Sequence, residues 1–162
     1  LMAEMTYIFS LLEEKRIQLL VDIPEKTDDP RYSGKRTVII GHKNLEDGSA
    51  DGKDILAATY PSFPAVWSSI LDDDSLLKVR LAIFESLRII RAYTKKVGHP
   101  AVIADPIVLP RGGTVEQAAL TIHKDFAQKL QFAKIWREGK LEGYKVSRTF
   151  VLADGDIIEF HI

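Results

Sequence analysis

The residues whose types and spacing could carry chemistry are a Gly-Lys step, scattered histidines, two groups of aspartates and a serine pair. Gly34-Lys35-Arg36-Thr37 holds the Gly-Lys of a phosphate-cradling loop. It lacks the earlier glycine at the required spacing, and no strand leads into it, so it makes no cradle. His42, His99 and His123 fall in no His-x-x-x-His or His-x-x-Glu-His pattern, which gives no metal site. His42 and His99 read as solvated loop residues, and His123 as a residue packing its helix or bonding a nearby loop. Asp72-Asp73-Asp74 reads as an N-cap with favourable charge at a helix start, not as a cation site. Asp154 and Asp156 flank Gly155 as turn residues. Ser68-Ser69 lacks the glycines of a nucleophile elbow. The expectation is no catalytic residue, no metal and no cofactor.

Binding chemistry is the alternative. Lys95, Lys96, Arg111, Lys124, Lys134, Arg137, Lys140, Lys145 and Arg148 are candidates for a basic face that meets RNA phosphates or a partner protein. Tyr93, Trp136 and Tyr144 are candidates for stacking bases, against a core role for Trp136 in an alternating strand. Charge supports the division. Residues 1–90 hold 11 Lys+Arg against 15 Asp+Glu, and residues 91–162 hold 11 against 8. An acidic half joined to a basic half predicts two units with different partners, and any RNA affinity belongs to the second.

Length and composition set the frame. The 162 residues suit one large domain or two small ones, and 46% hydrophobic with 28% charged residues is the balance of a folded protein. No apolar run is long enough to span a bilayer, and no basic-then-apolar leader opens the chain. Cysteine is absent, which excludes disulfides and thiolate chemistry and fits the cytoplasm.

The elements follow from periodicity. Helical spacing is predicted for Thr6–Arg16, Lys53–Tyr60 and Ser75–Leu87, the last with an apolar stripe at Leu76, Val79, Ile83 and Leu87. Strands are predicted at Ile17–Val21, Thr37–Ile40 and Pro64–Trp67, with a loop from Asp22 to Gly34. The run at Thr37 reads as a strand buried on both faces. The texture changes near residue 88. Strands are predicted at Arg88–Thr94, Pro106–Pro110, Phe132–Trp136 and Ile157–Ile162. Between the second and third, Thr114 and Gln117 form a capping box, and Val115, Ala119, Ile122, Phe126 and Leu130 form one helical stripe. The order strand, strand, helix, strand, strand is that of a β-grasp.

The segments Ile90-Arg91-Ala92-Tyr93-Thr94-Lys95, Ile122-His123-Lys124-Asp125-Phe126, Phe132-Ala133-Lys134-Ile135-Trp136 and Val151-Leu152-Ala153-Asp154-Gly155-Asp156 resemble a TGS domain. The resemblance is to the TGS of Obg/DRG-type GTP-binding proteins. It implies a ubiquitin-like β-grasp at residues 89–162, and for residues 1–88 the tail of a P-loop-GTPase-like (Rossmann-like) three-layer α/β domain. The fold class is then α+β overall. In that family an Asn-Lys-x-Asp motif reads guanine. The matching positions here are His42, Lys43, Asn44 and Leu45, with Ser69 in the later guanine loop. Leu45 cannot accept guanine's hydrogen bonds, at a cost of about 1–3 kcal/mol. No Gly-x-x-x-x-Gly-Lys-Ser/Thr stands anywhere in the sequence. The resemblance thus implies a non-catalytic module that contacts RNA, the ribosome or a regulatory protein. A fragment of a complete GTPase and a weak nucleotide-binding remnant are the alternatives. Residues 1–88 supply only about three of a G domain's strands. That predicts a bare sheet edge at Val38-Ile39-Ile40 and a homo-oligomer formed through the N-terminal half.

Overall fold

Local pattern and pairing divide the chain into two units, Leu1–Leu87 and Arg88–Ile162. The computed structural model describes residues 2–22, 29–42, 49–139 and 142–162.

The first unit contains α1 (Met2–Glu14), β1 (Ile17–Leu20), β2 (Ser33–Arg36), β3 (Ile39–Gly41), α2 (Ser49–Thr59), β4 (Ala65–Trp67) and α3 (Asp73–Leu87). Its strands pair in parallel, β1 with β2 and β3 with β4, as two two-stranded sheets. The alternation of strand and helix predicts a parallel sheet, and β3-α2-β4 is a βαβ unit in which Leu56 of α2 is buried. Three readings need correction. The predicted loop runs into β2, taking in its first two residues, Ser33 and Gly34, and the Ser-Gly-Lys-Arg sequence of the strand has no strand periodicity. Register with Ile17–Leu20 makes it a strand, not propensity. The strand at Thr37 starts at Ile39 and is not buried on both faces, for Ile40 is 43% exposed. The stripe of α3 is half-buried at Leu76 and Val79, and Ile83 and Leu87 lie exposed.

α3 starts as its aspartates dictate. The Asp72 carboxylate accepts from the N–H groups of Asp74 (3.1 Å) and Ser75 (3.3 Å), and Asp73 and Asp74 complement the helix dipole.

The second unit contains β5 (Ile89–Lys95), β6 (Ala101–Pro110), α4 (Val115–Ile122), α5 (Lys124–Lys129), β7 (Phe132–Trp136), β8 (Tyr144–Val146) and β9 (Asp156–His161). The five strands lie in the order β6-β5-β9-β7-β8. The first and last strands, β5 and β9, run parallel at the centre, and the other neighbours are antiparallel. The helices cover one face, where Val115, Ala119, Leu130, Ala133, Ile135 and Ile158 form the core. This is the predicted β-grasp, with one added edge strand, β8, that periodicity over three residues cannot reveal. β6 is also longer than predicted, and its register with β5 shifts between Ala92 and Thr94.

The capping box forms: Thr114 N–H donates to Gln117 Oε1 (2.9 Å), and Gln117 N–H to Thr114 Oγ1 (3.4 Å). The stripe that follows is not one helix. His123 adopts an extended conformation, ends α4 and caps α5, its Nδ1 accepting from Asp125 N–H at 3.2 Å. The break resets the helical phase. Ile122 is left 47% exposed while Ala127 and Leu130 turn inward.

Candidate nucleic-acid interface

Alternation along a strand sends successive side chains to opposite faces, so register decides which cations meet. On the helix-covered face, Ala133, Val146 and Phe160 lie side by side, as do Ile135, Tyr144 and Ile158. The intervening residues project from the other face. There Lys134 lies between Lys145 and Glu159, Phe132 beside His161, and Trp136 beside Ile157. Parallel pairing of β5 with β9 adds Tyr93 next to Ile157.

These side chains are paired into a network. Lys95 Nζ sits 4.2 Å from the centre of the Trp136 ring and 3.4 Å from Glu159 Oε2. The other carboxylate oxygen of Glu159 lies 2.9 Å from His161 Nε2. The imidazole of His161 stacks on Phe132, with centroids 4.4 Å apart and planes 11° from parallel. Lys145 Nζ lies 4.0 Å from the centre of the Phe132 ring. Glu159 itself is buried. The indole of Trp136 also rests on Gly143, where a Cβ would stand 2.4 Å from ring carbons, so only glycine admits the ring.

The predicted basic residues therefore separate. Lys95, Lys134 and Lys145 share the open face. Lys96 is exposed in the turn after β5, and Arg111 is exposed after β6, its N–H donating to Arg88 O at 2.7 Å. Lys124 opens α5 on the helical side. Arg148 pairs with Glu116. Arg137 is consumed by structure, donating through Nε and Nη2 to the two oxygens of the fully buried Asp156, each at 2.7 Å. That hydrogen-bonded pairing raises the pKa of Arg137 above its ordinary value. Asp156 also accepts from Ala153 N–H, so it is more than a turn residue. Asp154 is matched in the same way by Arg91 and accepts from the Arg91 N–H at 2.7 Å. The Arg91 guanidinium holds its carboxyl below the usual carboxylate range. Lys140 lies outside the described residues.

Of the stacking candidates, Trp136 and Tyr93 belong to the open face. Tyr144 faces the core and meets Phe150 edge-on. Phe132, Glu159 and His161 escape a search for basic and aromatic residues taken one at a time. The alternation Phe132-Lys134-Trp136 is the signal that could have found the first.

In the first unit, His42 is exposed just beyond β3. Lys43, Asn44 and Leu45 lie outside the described residues. Ser69 is buried and engaged: its N–H donates to Ser75 Oγ (2.9 Å), and its own Oγ accepts from Leu71 N–H (3.2 Å). A cavity of about 460 Å³ is lined by Phe9, Tyr32, Tyr60 and Phe63 with Glu13 and Asp29. Asp29 is already matched by Arg31, and none of the predicted site residues lines this cavity. Among the described residues there is no group of three or more metal-ligating side chains, and no helix is long and apolar enough to cross a membrane.

Residues 90–162 match the TGS domain family. The chain is 34% identical over 77 residues to an uncharacterized GTP-binding protein of Methanocaldococcus jannaschii, covering 47% of this chain and 20% of that one. It is 34% identical over 89 residues to developmentally-regulated GTP-binding protein 1 of Xenopus laevis, covering 54% and 23%. With developmentally-regulated GTP-binding protein 2 of Bos taurus it shares 30% identity over 119 residues, 73% of this chain and 32% of that one. The chain thus spans between a fifth and a third of the length of these relatives. Among solved structures, a GTP-binding protein of Pyrococcus horikoshii has a TM-score of 0.56 at 14% identity, covering 76% of this chain and 45% of that one. The YchF GTPase of Schizosaccharomyces pombe has a TM-score of 0.54 at 14% identity, covering 81% and 44%. At that identity the likeness is one of fold.

Proposed function

With residues 90–162 a TGS domain joined to a stretch similar to part of GTP-binding proteins, we propose that this chain is a cytoplasmic binding module without phosphoryl-transfer chemistry. Its ligand is single-stranded RNA, free or within the ribosome, taken on the open sheet face of the TGS domain. The observation that carries the reading is the set of cation–ring pairs on that face, Lys95 with Trp136 and Lys145 with Phe132, with Lys134 between them. Single strands are bound by such surfaces. Aromatic rings stack bases of any sequence, and lysines at their edges meet the phosphates. Against nucleotide hydrolysis stand the missing phosphate loop and a Ser69 whose polar groups are spent on Ser75 and Leu71.

Anisotropy titration of a labelled oligouridylate at several salt concentrations tests the proposal. Lys134→Glu and Lys145→Glu weaken binding, and each neutralised contact flattens the salt slope by about 0.7. Lys124→Glu, on the helical side, leaves binding at the parent value. Binding lost on Lys124→Glu but kept in the other two variants would refute the assignment of the face. Micromolar, guanine-selective nucleotide binding by calorimetry would refute the non-catalytic reading.

A further inference from the structure

The open face holds an acidic group that an RNA-binding surface has no direct use for. Glu159 is 4% exposed at the middle of the sheet, on the central strand, and touches both halves of the cation–ring network. One oxygen takes the ammonium of Lys95, whose side chain is 21% exposed, and the other takes Nε2 of His161, 24% exposed. A carboxylate only accepts hydrogen bonds, so it fixes the His161 proton on Nε2 and turns the ring flat against Phe132. It also anchors Lys95 where the ammonium covers the indole of Trp136. The lysine and the ring that would serve a phosphate and a base are thereby occupied with each other.

We propose that Glu159 is the positioning residue of this face. It holds Lys95 across Trp136 and His161 along Phe132, and so keeps the indole covered until a phosphate draws Lys95 away. The inference takes its ligand from the RNA reading above. The local arrangement it describes exists without RNA.

The test uses the full chain carrying Trp67→Phe, which leaves Trp136 as the only indole. Acrylamide quenching of Trp136 is measured without nucleic acid, and oligouridylate affinity against salt with it, in the parent, Glu159→Gln and Lys95→Met. Glu159→Gln keeps the side-chain shape and removes the charge that anchors Lys95. A cation–ring contact biases the covered state about two- to fivefold, so losing it raises the open fraction, and with it the quenching constant of Trp136, by about 1.5- to 3-fold in both variants. The salt responses then move apart. In the parent the phosphate draws Lys95 from Glu159, so Glu159→Gln keeps the parent's salt slope and tightens binding, while Lys95→Met loses that contact and flattens the slope by about 0.7. A residue serving stability alone would lower the melting temperature without tightening binding. Adding Glu159→Gln to Lys95→Met uncovers Trp136 no further. The proposal is overturned if Glu159→Gln, folded, keeps the parent's quenching constant and affinity. Should the parent bind no oligonucleotide, the RNA reading falls, and the quenching comparison still decides whether Glu159 sets Lys95 over Trp136.

Discussion

Replacing Arg137 separates structural cations from binding ones. Its guanidinium meets both oxygens of Asp156, whose side chain is fully buried while that of Arg137 is 35% exposed. The two ends of the pair are therefore unequal. Asp156→Asn leaves a guanidinium that can turn to water. Arg137→Met leaves a buried carboxylate whose remaining partner among the described residues is the Ala153 N–H. Removing one partner of a buried pair costs about 3–5 kcal/mol, and the partial exposure of Arg137 places this case near the lower bound, about 3 kcal/mol. With a denaturant slope of about 1–2 kcal/mol per molar for a small unit, the urea midpoint falls by about 1.5–3 M.

Trp136, the residue before Arg137, reports the transition in a Trp67→Phe background. Asp156→Asn should cost less than Arg137→Met, and Arg137→Met with Asp156→Leu should recover much of the loss, because exchanging a whole buried pair for apolar groups is often neutral. RNA affinity of the folded Arg137→Met protein should match the parent once non-phosphate charge is screened by salt. A midpoint for Arg137→Met within about 0.3 M of the parent, a loss of no more than about 0.6 kcal/mol, would refute the reasoning. So would a double variant no better than Arg137→Met, which would assign the loss to packing against Phe150 rather than to the stranded charge.

The Asp154 carboxyl is held below its ordinary value by Arg91, so its contribution is fully present above the unfolded value of about 3.9 and disappears as pH falls through the folded one. The stability difference between parent and Asp154→Asn, from urea midpoints, should stay flat from pH 5 to 8 and close below about pH 4; a gap that widened on acidification would contradict the pairing. Gly143→Ala should displace the Trp136 indole, destabilising the second unit by about 1–3 kcal/mol and red-shifting Trp136 emission, and an unchanged spectrum would exclude the close approach. The exposed Tyr7, Ile8, Ile70 and Leu71 lead us to propose self-association through the first unit. Sedimentation equilibrium should then give a dimer that dissociates on Ile70→Lys with Leu71→Lys, and a monomeric parent would end the proposal.

The elements read most securely from sequence are those whose signal is local. Thr114 and Gln117 lie one turn apart, and their capping box sets the start of α4 with no help from tertiary structure. The Asp72 cap of α3 is the same case. Signals that depend on pairing are not local, and periodicity does not show them. β2 has strand geometry only because Ile17–Leu20 lies beside it, and β8 only because β7 does. The stripe from Val115 to Leu130 satisfies a helix on paper, but His123 can cap a second helix, and the core selects the broken form that turns Leu130 inward. The candidate interface divides on the same line. Lys134 and Trp136 share a face by simple alternation, whereas Glu159 joins Lys95 through the β5–β9 pairing that only the folded sheet supplies.

Among the basic residues of the second half, two groups differ by residue type in what they meet. Arg91, Arg137 and Arg148 each meet a carboxylate, on Asp154, Asp156 and Glu116. A guanidinium is a planar fork, always charged, and its fixed donors match a carboxylate at two points. Such contacts suit permanent ties between strands and turns. Lys95 and Lys145 rest over rings, Lys95 with a single contact to Glu159 at 3.4 Å beside it, and a point charge on a flexible stem leaves such a place at less cost than a guanidinium fork does. Charges of the second kind suit a strand of variable sequence, because each phosphate can recruit its own cation as the chain settles. Arginine at position 95 or 145 would stack more tightly on its ring and grip Glu159 or a phosphate in a fixed orientation. The net charge of the face would stay the same, and the ability of the lysines to move from ring to phosphate would be lost. The function proposed for this surface therefore depends on lysine as a residue type, and a count of positive charges along the sequence does not capture it.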